Sequence, residues 1–406
     1  MVTIFLTDLE LWSMGSGKGG EAFSRTIEKY VSEGADVFFV SDVESNKNLS
    51  IVDDNHNIFV KPSVFKSWVS VRKIGVAFKW LDHKITTRRM INVTEGLLKN
   101  NKGKDILLYA YEIFGVEACK KLSAKHELPF VTRFQGTTMV NYKYSWINRI
   151  LRYPHYQALK TRSDLVIMTD DGTKGDRVLD LVNNDSERLF LKNGLELMEE
   201  EVFEKTQSIE KKIIRQNLGI TDDETMFLTV SRLTGWKRVD RAIDGFSSFL
   251  AKGGRGTLVI VGDGDQRSAL EDHAEELGVR EKVLFVGAIS HGDVYDFMVS
   301  ADVFLSLYDL SNVGNPLLEA MTLGKCIVTL NVGDTMSVIN GQNGILLEYD
   351  DLYKLGDILL NLSMDEKARM SYGKNAREYA NDYFYTWEKR MNIEYNEVLK
   401  LFEKNI

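Results

Sequence analysis

In SRLTGWKRVDRAI, residues 231–243, Arg232 and Lys237 stand five apart just after an apolar, β-rich run. A strand ending there delivers both side chains to the ligand edge of an open sheet, where an Arg fork and a Lys point charge can neutralise a diphosphate. A solvated helix start fits the same residues. Farther on, YDLSNVGNPLLEAMTLGKCIVTLNVGD, residues 308–334, reads as an anion site. Pro316 suits the first helical position, Asn315 the N-cap and Gly324 the position after the last turn, leaving a helix of about two turns. N–H groups such as those of Leu317 and Leu318 would point back toward Asn312, Val313 and Gly314, and with the helix dipole they favour a phosphate. Glu319 falls one turn in, where a carboxylate accepts hydrogen bonds from a vicinal diol. Phosphate plus ribose means a nucleotide. The alternative is an ordinary capped helix between two buried strands, FLSL and CIVTL.

A second glycine-rich loop, GSGKGGE at residues 15–21, follows the first apolar run. Gly17, Gly19 and Gly20 let a backbone approach a ligand, and Lys18 adds a cation beside a helix start. Gly15, Gly17 and Gly20, with Asp42 about 22 residues later, also meet the spacing of a dinucleotide fingerprint, which would make the chain an NAD-dependent oxidoreductase; Leu9–Met14 separate these glycines from the strand and weaken that reading. A phosphate-binding P-loop fails, because Trp12 stands where its first glycine belongs and Gly19 where its Ser or Thr belongs. Asp263 and Asp265 in VGDGDQRSALE look like a metal-binding pair, but a strand-to-helix turn accounts for them better. The six histidines show no ligand spacing, and Cys119 and Cys326 form neither a metal motif nor a disulfide framework. No cofactor is expected.

The elements that must position these loops read clearly. Apolar runs VTIFLTD, DVFFVSD, DILLYAYE, PFVTRF, LVIMTD and RLFLKN alternate with amphipathic stretches, and a second series runs through MFLTVS, TLVIVGDG, VLFVG, DVFLSL, CIVTL and GILLE. Such alternation predicts two doubly wound parallel sheets covered by helices, an α/β architecture. The expected division is residues 1–195, residues 196–384, and a final segment 385–406 crossing back to the first domain. When two such domains face each other, the substrates lie between the carboxyl ends of their strands.

In this order the parts resemble the family-4 glycosyltransferases of the GT-B fold. GKGGE matches that family's loop after the first strand, and Asn193, Gly194 and Glu196 approximate its domain junction. Arg232 and Lys237 match its cation pair, Gly262–Gly264 its GDG loop, Phe285–Gly287 its FVG strand end and Leu318–Met321 its LEAM helix. The resemblance implies that Glu319 holds the ribose, that the backbone of Val313–Asn315 holds the diphosphate, and that Lys18, Gly19 and Gly20 contact phosphate from the other domain. It further implies retaining, metal-independent transfer from a nucleotide diphosphate sugar of UDP or GDP type to a hydroxyl acceptor, in the synthesis of surface polysaccharide, glycolipid or glycoconjugate.

Two positions depart from the family. Ser311 stands where a donor-contacting Glu is usual, and Gln135 in RFQGTT where a His is common. Asn312 or Asp309 would replace the missing carboxylate, Gln135 would bond a sugar hydroxyl, and Arg133 and Thr137 of the same loop are assigned to the acceptor. These departures also leave a non-catalytic partner subunit as an alternative.

Composition bounds the partners. The net charge of −8 divides into +4 for residues 1–190 and −12 for the remainder, which speaks against nucleic acid. Entry directly into a strand, with no apolar run of membrane length, predicts a cytoplasmic location. Residues 61–90 carry eight basic residues and one acidic one, interleaved with Phe65, Trp68, Phe78 and Trp80, and YKYSWINRILRY at 142–153 repeats the theme. Both predict peripheral contact with an anionic membrane surface. The alternative is a helix packed on the first sheet with its cations solvated.

Overall fold

The computed structural model describes residues 1–7, 21–43, 56–66, 75–137, 139–141, 145–196, 211–310 and 312–403. Thirteen named strands form two sheets, and every strand pairing within them is parallel.

The first sheet holds β1 (Val2–Thr7), β2 (Asp36–Ser41), β3 (Asn57–Phe59), β4 (Ile106–Tyr111), β5 (Phe130–Phe134), β6 (Leu165–Thr169) and β7 (Glu187–Leu191), in the order β3-β2-β1-β4-β5-β6-β7. Its covering helices include α1 (Glu21–Ser32), α2 (Gly75–Asn100), α3 (Val116–His126), α4 (Trp146–Leu151), α5 (His155–Lys160) and α6 (Gly175–Leu181). Every residue of β1 and β4 is buried, as expected of strands covered on both faces. Six strands fall on the runs expected from the sequence. The seventh, β3, is a three-residue, half-exposed edge strand, too short to show periodicity.

The second sheet holds β8 (Thr225–Val230), β9 (Gly256–Val261), β10 (Val283–Gly287), β11 (Val303–Ser306), β12 (Cys326–Leu330) and β13 (Ile345–Leu347), in the order β10-β9-β8-β11-β12-β13. With it come α7 (Val239–Ala251), α8 (Arg267–Glu276), α9 (His291–Ser300), α10 (Asn315–Thr322), α11 (Leu355–Met364) and α12 (Glu366–Tyr383). The chain closes with α13 (Trp387–Glu403). In both sheets the strand order reverses direction, between β1 and β4 and between β8 and β11. Loops at the carboxyl ends beside such a reversal splay apart and leave a crevice.

The chain divides into two compact units. One comprises residues 1–170, 174–193 and everything from Trp387 on; the other comprises residues 171–173 and 194–386. The short stretch 171–173 thus groups with the second sheet, where the Asp171 carbonyl accepts the Val313 N–H at 3.2 Å. Among the described residues, no helix is long and apolar enough to cross a membrane.

Candidate functional site

The loop leaving β8 is short and tightly held. The Leu233 N–H donates to the Asp263 carbonyl at 2.9 Å, and the Gln266 N–H donates to the Leu233 carbonyl at 3.0 Å. This packing explains the GDG sequence. A Cβ on Gly262, whose φ is +132°, would lie 1.8 Å from the Ser231 carbonyl oxygen, and one on Gly264 would lie 2.3 Å from that of Leu233. Asp263 pairs with Arg267, so this segment is a turn, as the sequence suggested.

Past Leu233, one 3₁₀ turn, Gly235–Lys237, leads into α7 through Arg238 in the left-handed region. It sets Lys237 in an aromatic seat. Its Nζ lies 3.9 Å from the centre of the Tyr308 ring and 4.5 Å from that of Trp236. Tyr308 is buried and anchored, its hydroxyl donating to the Val230 carbonyl at 2.8 Å. Burial pushes the Lys237 ammonium down to about 7; Asp171 opposes the shift and Arg232 adds to it. A lysine half-stripped of water beside a second cation is poised to gain from an arriving anion. Arg232 is exposed on the same loop.

Opposite, after β11, the chain enters α10. The N-cap is Gly314, one residue before the expected Asn315, and Pro316 lies in the first turn. The shift has a local cause: Gly314 is extended (ψ 168°), so helical geometry already begins at Asn315. Gly324 takes φ +60° just past the end, as expected of a helix stop. Val313 is corrected in part. Its N–H donates to the Asp171 carbonyl and its side chain is buried, so it anchors the loop and its amide is already engaged. Asp309 is also committed, to Arg241 at 2.6 Å and Arg238 at 3.5 Å, which removes it as the substitute carboxylate. Asn312 differs. It is 1% exposed, and neither polar atom of its side chain has a partner among the described residues. Ser311 lies outside the described residues.

Glu319 is buried one turn into α10, where its Oε1 lies 2.9 Å from the Nε2 of His291. No sequence pattern points to His291. The pair is separated by 28 positions on two helices, and neither a motif nor a metal-like spacing links them.

In the first unit, Arg133 is corrected. Assigned to the acceptor, it is instead fully buried, and its Nε donates to both carboxylate oxygens of Glu394 on α13 at 3.2 and 3.3 Å. Strand alternation explains this, since Arg133 is register-paired with Tyr111 on the sheet face that packs on α1 and α13. Gln135 stays at the strand end. Its amide Nε2 donates to the Tyr111 hydroxyl at 2.7 Å, and its N–H donates to Glu112 at 2.6 Å. The Thr137 hydroxyl accepts the Met139 N–H at 3.1 Å. Gly17, Lys18, Gly19 and Gly20 lie outside the described residues. Asp42, needed by the dinucleotide reading, is buried and paired with Lys66 at 2.9 Å.

Of the basic stretch 61–90, residues 61–66 and 75–90 are described, and they pack in part, although Trp80 is 47% exposed. Met90 on α2 is buried in the first core, Asp82 accepts the Ser63 hydroxyl at 2.6 Å, and Arg89 donates to the Pro62 carbonyl at 2.7 Å. An exposed apolar face lies on α4, where Trp146, Ile147, Ile150 and Leu151 are 71, 50, 55 and 47% exposed and no residue of the helix is buried.

Two parallel sheets of seven and six strands, the second carrying Lys237 after β8 and the start of α10 after β11, define a GT-B fold. Comparison agrees. HepE of Anabaena in complex with UDP-glucose superposes with a TM-score of 0.72 over 98% of this chain and 99% of that one, at 16% identity. Residues 210–379 match the family model described as glycosyl transferases group 1. An uncharacterised glycosyltransferase of Methanocaldococcus jannaschii is 33% identical over 190 residues, 46% of this chain and 48% of that protein. The lipopolysaccharide glucosyltransferase WaaG of Escherichia coli is 31% identical over 172 residues, 42% of this chain and 46% of its own. The matched segment thus spans about half the length of these curated relatives. Over residues 210–379 the chain is similar to the glycosyl transferases group 1 family, the family-4 group that its motifs resemble.

Proposed function

We propose that this chain is a retaining, metal-independent glycosyltransferase that moves a sugar from a nucleoside diphosphate sugar, UDP first among candidates, to a hydroxyl acceptor in surface polysaccharide, glycolipid or glycoconjugate synthesis. The observation that carries it is the aromatic-seated Lys237 after β8, beside the strand-order reversal at which the neighbouring strand β11 leads on to the start of α10. Such a transfer needs stabilisation of leaving-group charge and positioning more than a protein base. Lys237 and Arg232 neutralise the departing diphosphate, the first turn of α10 from Gly314 and Asn315 adds N–H donors, and Glu319 takes the ribose. The diphosphate itself accepts the acceptor's proton on the face it leaves. Asn312 offers its unpartnered amide to the donor sugar in place of the missing carboxylate, and Gln135 with Thr137 serves the acceptor. Two matches support a sugar nucleotide and a cell-surface product: the UDP-glucose bound by HepE and the lipopolysaccharide role of WaaG.

The test is release of nucleoside diphosphate from a panel of UDP-, GDP- and ADP-sugars without acceptor, since a working site leaks sugar slowly to water. Release from one donor is expected. Binding without any release, with or without hydroxyl acceptors, would indicate a non-catalytic partner subunit.

We also propose that α4 rests on an anionic lipid surface. Residues 134–163 contain five Lys or Arg and no Asp or Glu, so the exposed Trp146, Ile147, Ile150 and Leu151 stand in a basic stretch of the chain. Replacing both Trp146→Glu and Ile150→Glu is expected to reduce co-sedimentation with phosphatidylglycerol vesicles at low salt by about tenfold. Equal sedimentation of variant and parent would exclude α4 as the contact.

A further inference from the structure

We infer that His291 positions Glu319 for the nucleotide's ribose, an inference that rests on the proposed ribose role of Glu319. Glu319 sits in a helix whose residues Leu317–Thr322 are all buried, so its carboxylate requires a polar partner. His291 supplies it at 2.9 Å. A carboxylate only accepts, so the Nε2 facing it carries the proton. One lone pair of Oε1 is thereby used, leaving the other and both of Oε2 for the two hydroxyls of a vicinal diol.

The histidine is itself fixed. It opens α9, whose N-cap Ser290 accepts the Asp293 N–H at 3.2 Å, and its ring stands edge-on to Tyr295 at 6.4 Å. The Tyr295 hydroxyl in turn donates to the Glu196 carbonyl at 3.1 Å. Held by His291, the carboxylate has fewer rotamers to lose when a diol arrives, and that pre-setting strengthens binding without direct contact between histidine and ligand. The side chains are 30% and 7% exposed, so the pair lies at the edge of the core, within reach of a ligand.

The experiment compares UDP with 2′-deoxy-UDP, and GDP with 2′-deoxy-GDP, by calorimetry on the full chain and on His291→Ala, His291→Gln and Glu319→Ala. The parent is expected to prefer the ribose form of its nucleotide by roughly ten- to hundredfold. Glu319→Ala should abolish that ratio, His291→Ala should lower it by about tenfold, and His291→Gln, which retains an N–H donor, should restore most of it. Because the readout is a ratio, a general loss of stability does not imitate the effect. If Glu319→Ala removes the preference while His291→Ala leaves it intact, His291 has no positioning role and the ribose reading stands. If Glu319→Ala leaves the preference unchanged, the ribose reading itself falls, and the positioning role with it.

Discussion

Replacing Lys237 by alanine is expected to weaken nucleoside diphosphate binding and to cut turnover by roughly two orders of magnitude or more. In the free protein, the ammonium is stripped of much of its water and, among the described residues, is compensated by the ring faces of Tyr308 and Trp236 and by Asp171. A diphosphate supplies what that environment lacks. The same geometry gives binding a pH dependence of defined sign. With its pKa lowered from 10.5 to about 7, Lys237 is largely neutral in the free protein above that pH, whereas the bound dianion restores its charge. Binding above pH 7 should therefore take up about one proton, and affinity should fall as pH rises, by up to about tenfold per unit. Calorimetry in buffers of differing ionisation enthalpy counts that proton. Lys237→Arg, always charged, should bind without the uptake. Unchanged kinetics in Lys237→Ala would remove this residue from the site.

The second large effect lies in the first unit. Glu394 is buried among Arg133, Arg390 and Tyr109; it accepts the Tyr109 hydroxyl at 2.7 Å and bonds both guanidinium groups. Burial alone would raise its carboxyl, but Arg133 and Arg390 outweigh burial and hold it at about 2. Glu394→Ala leaves two guanidinium groups in the core without a counter-charge, a defect that costs about 3–5 kcal/mol. In calorimetry, the transition of the first unit should fall by roughly 10 °C. A shift within about 2 °C would show that water or rearrangement replaces the carboxylate. Because the folded pKa lies below the ordinary 4.5, the stability contributed by Glu394 is complete above that value and is lost as pH falls toward about 2.

These two sites differ in how far the sequence discloses them. The place of Lys237 just past β8 was legible because a strand run ends shortly before it. Trp236 beside it was visible as well, but Tyr308 reaches it only through the pairing of β8 with β11. The α10 start was legible to within one residue, since Pro316 and Gly324 bracket it; the backbone angle of Gly314 decided the cap. Arg133 was misassigned because an arginine near a strand end looks like a ligand contact until its partner is known. That partner stands 261 positions away on the last helix, and no local spacing encodes such a bond. His291 was missed for the same reason. Most strands were read correctly because runs such as those of β1 and β4 are apolar on both faces, a signal that survives without tertiary knowledge, whereas the short edge strand β3 carries none.

The most direct measurement is a crystal structure of the chain soaked with the sugar nucleotide that it binds most tightly. The diphosphate is expected within hydrogen-bond distance of Lys237 Nζ and of the first-turn N–H groups of α10, with the ribose hydroxyls on Glu319. A nucleotide bound elsewhere, with Lys237 still against its two rings and the α10 start untouched, would contradict the assignment.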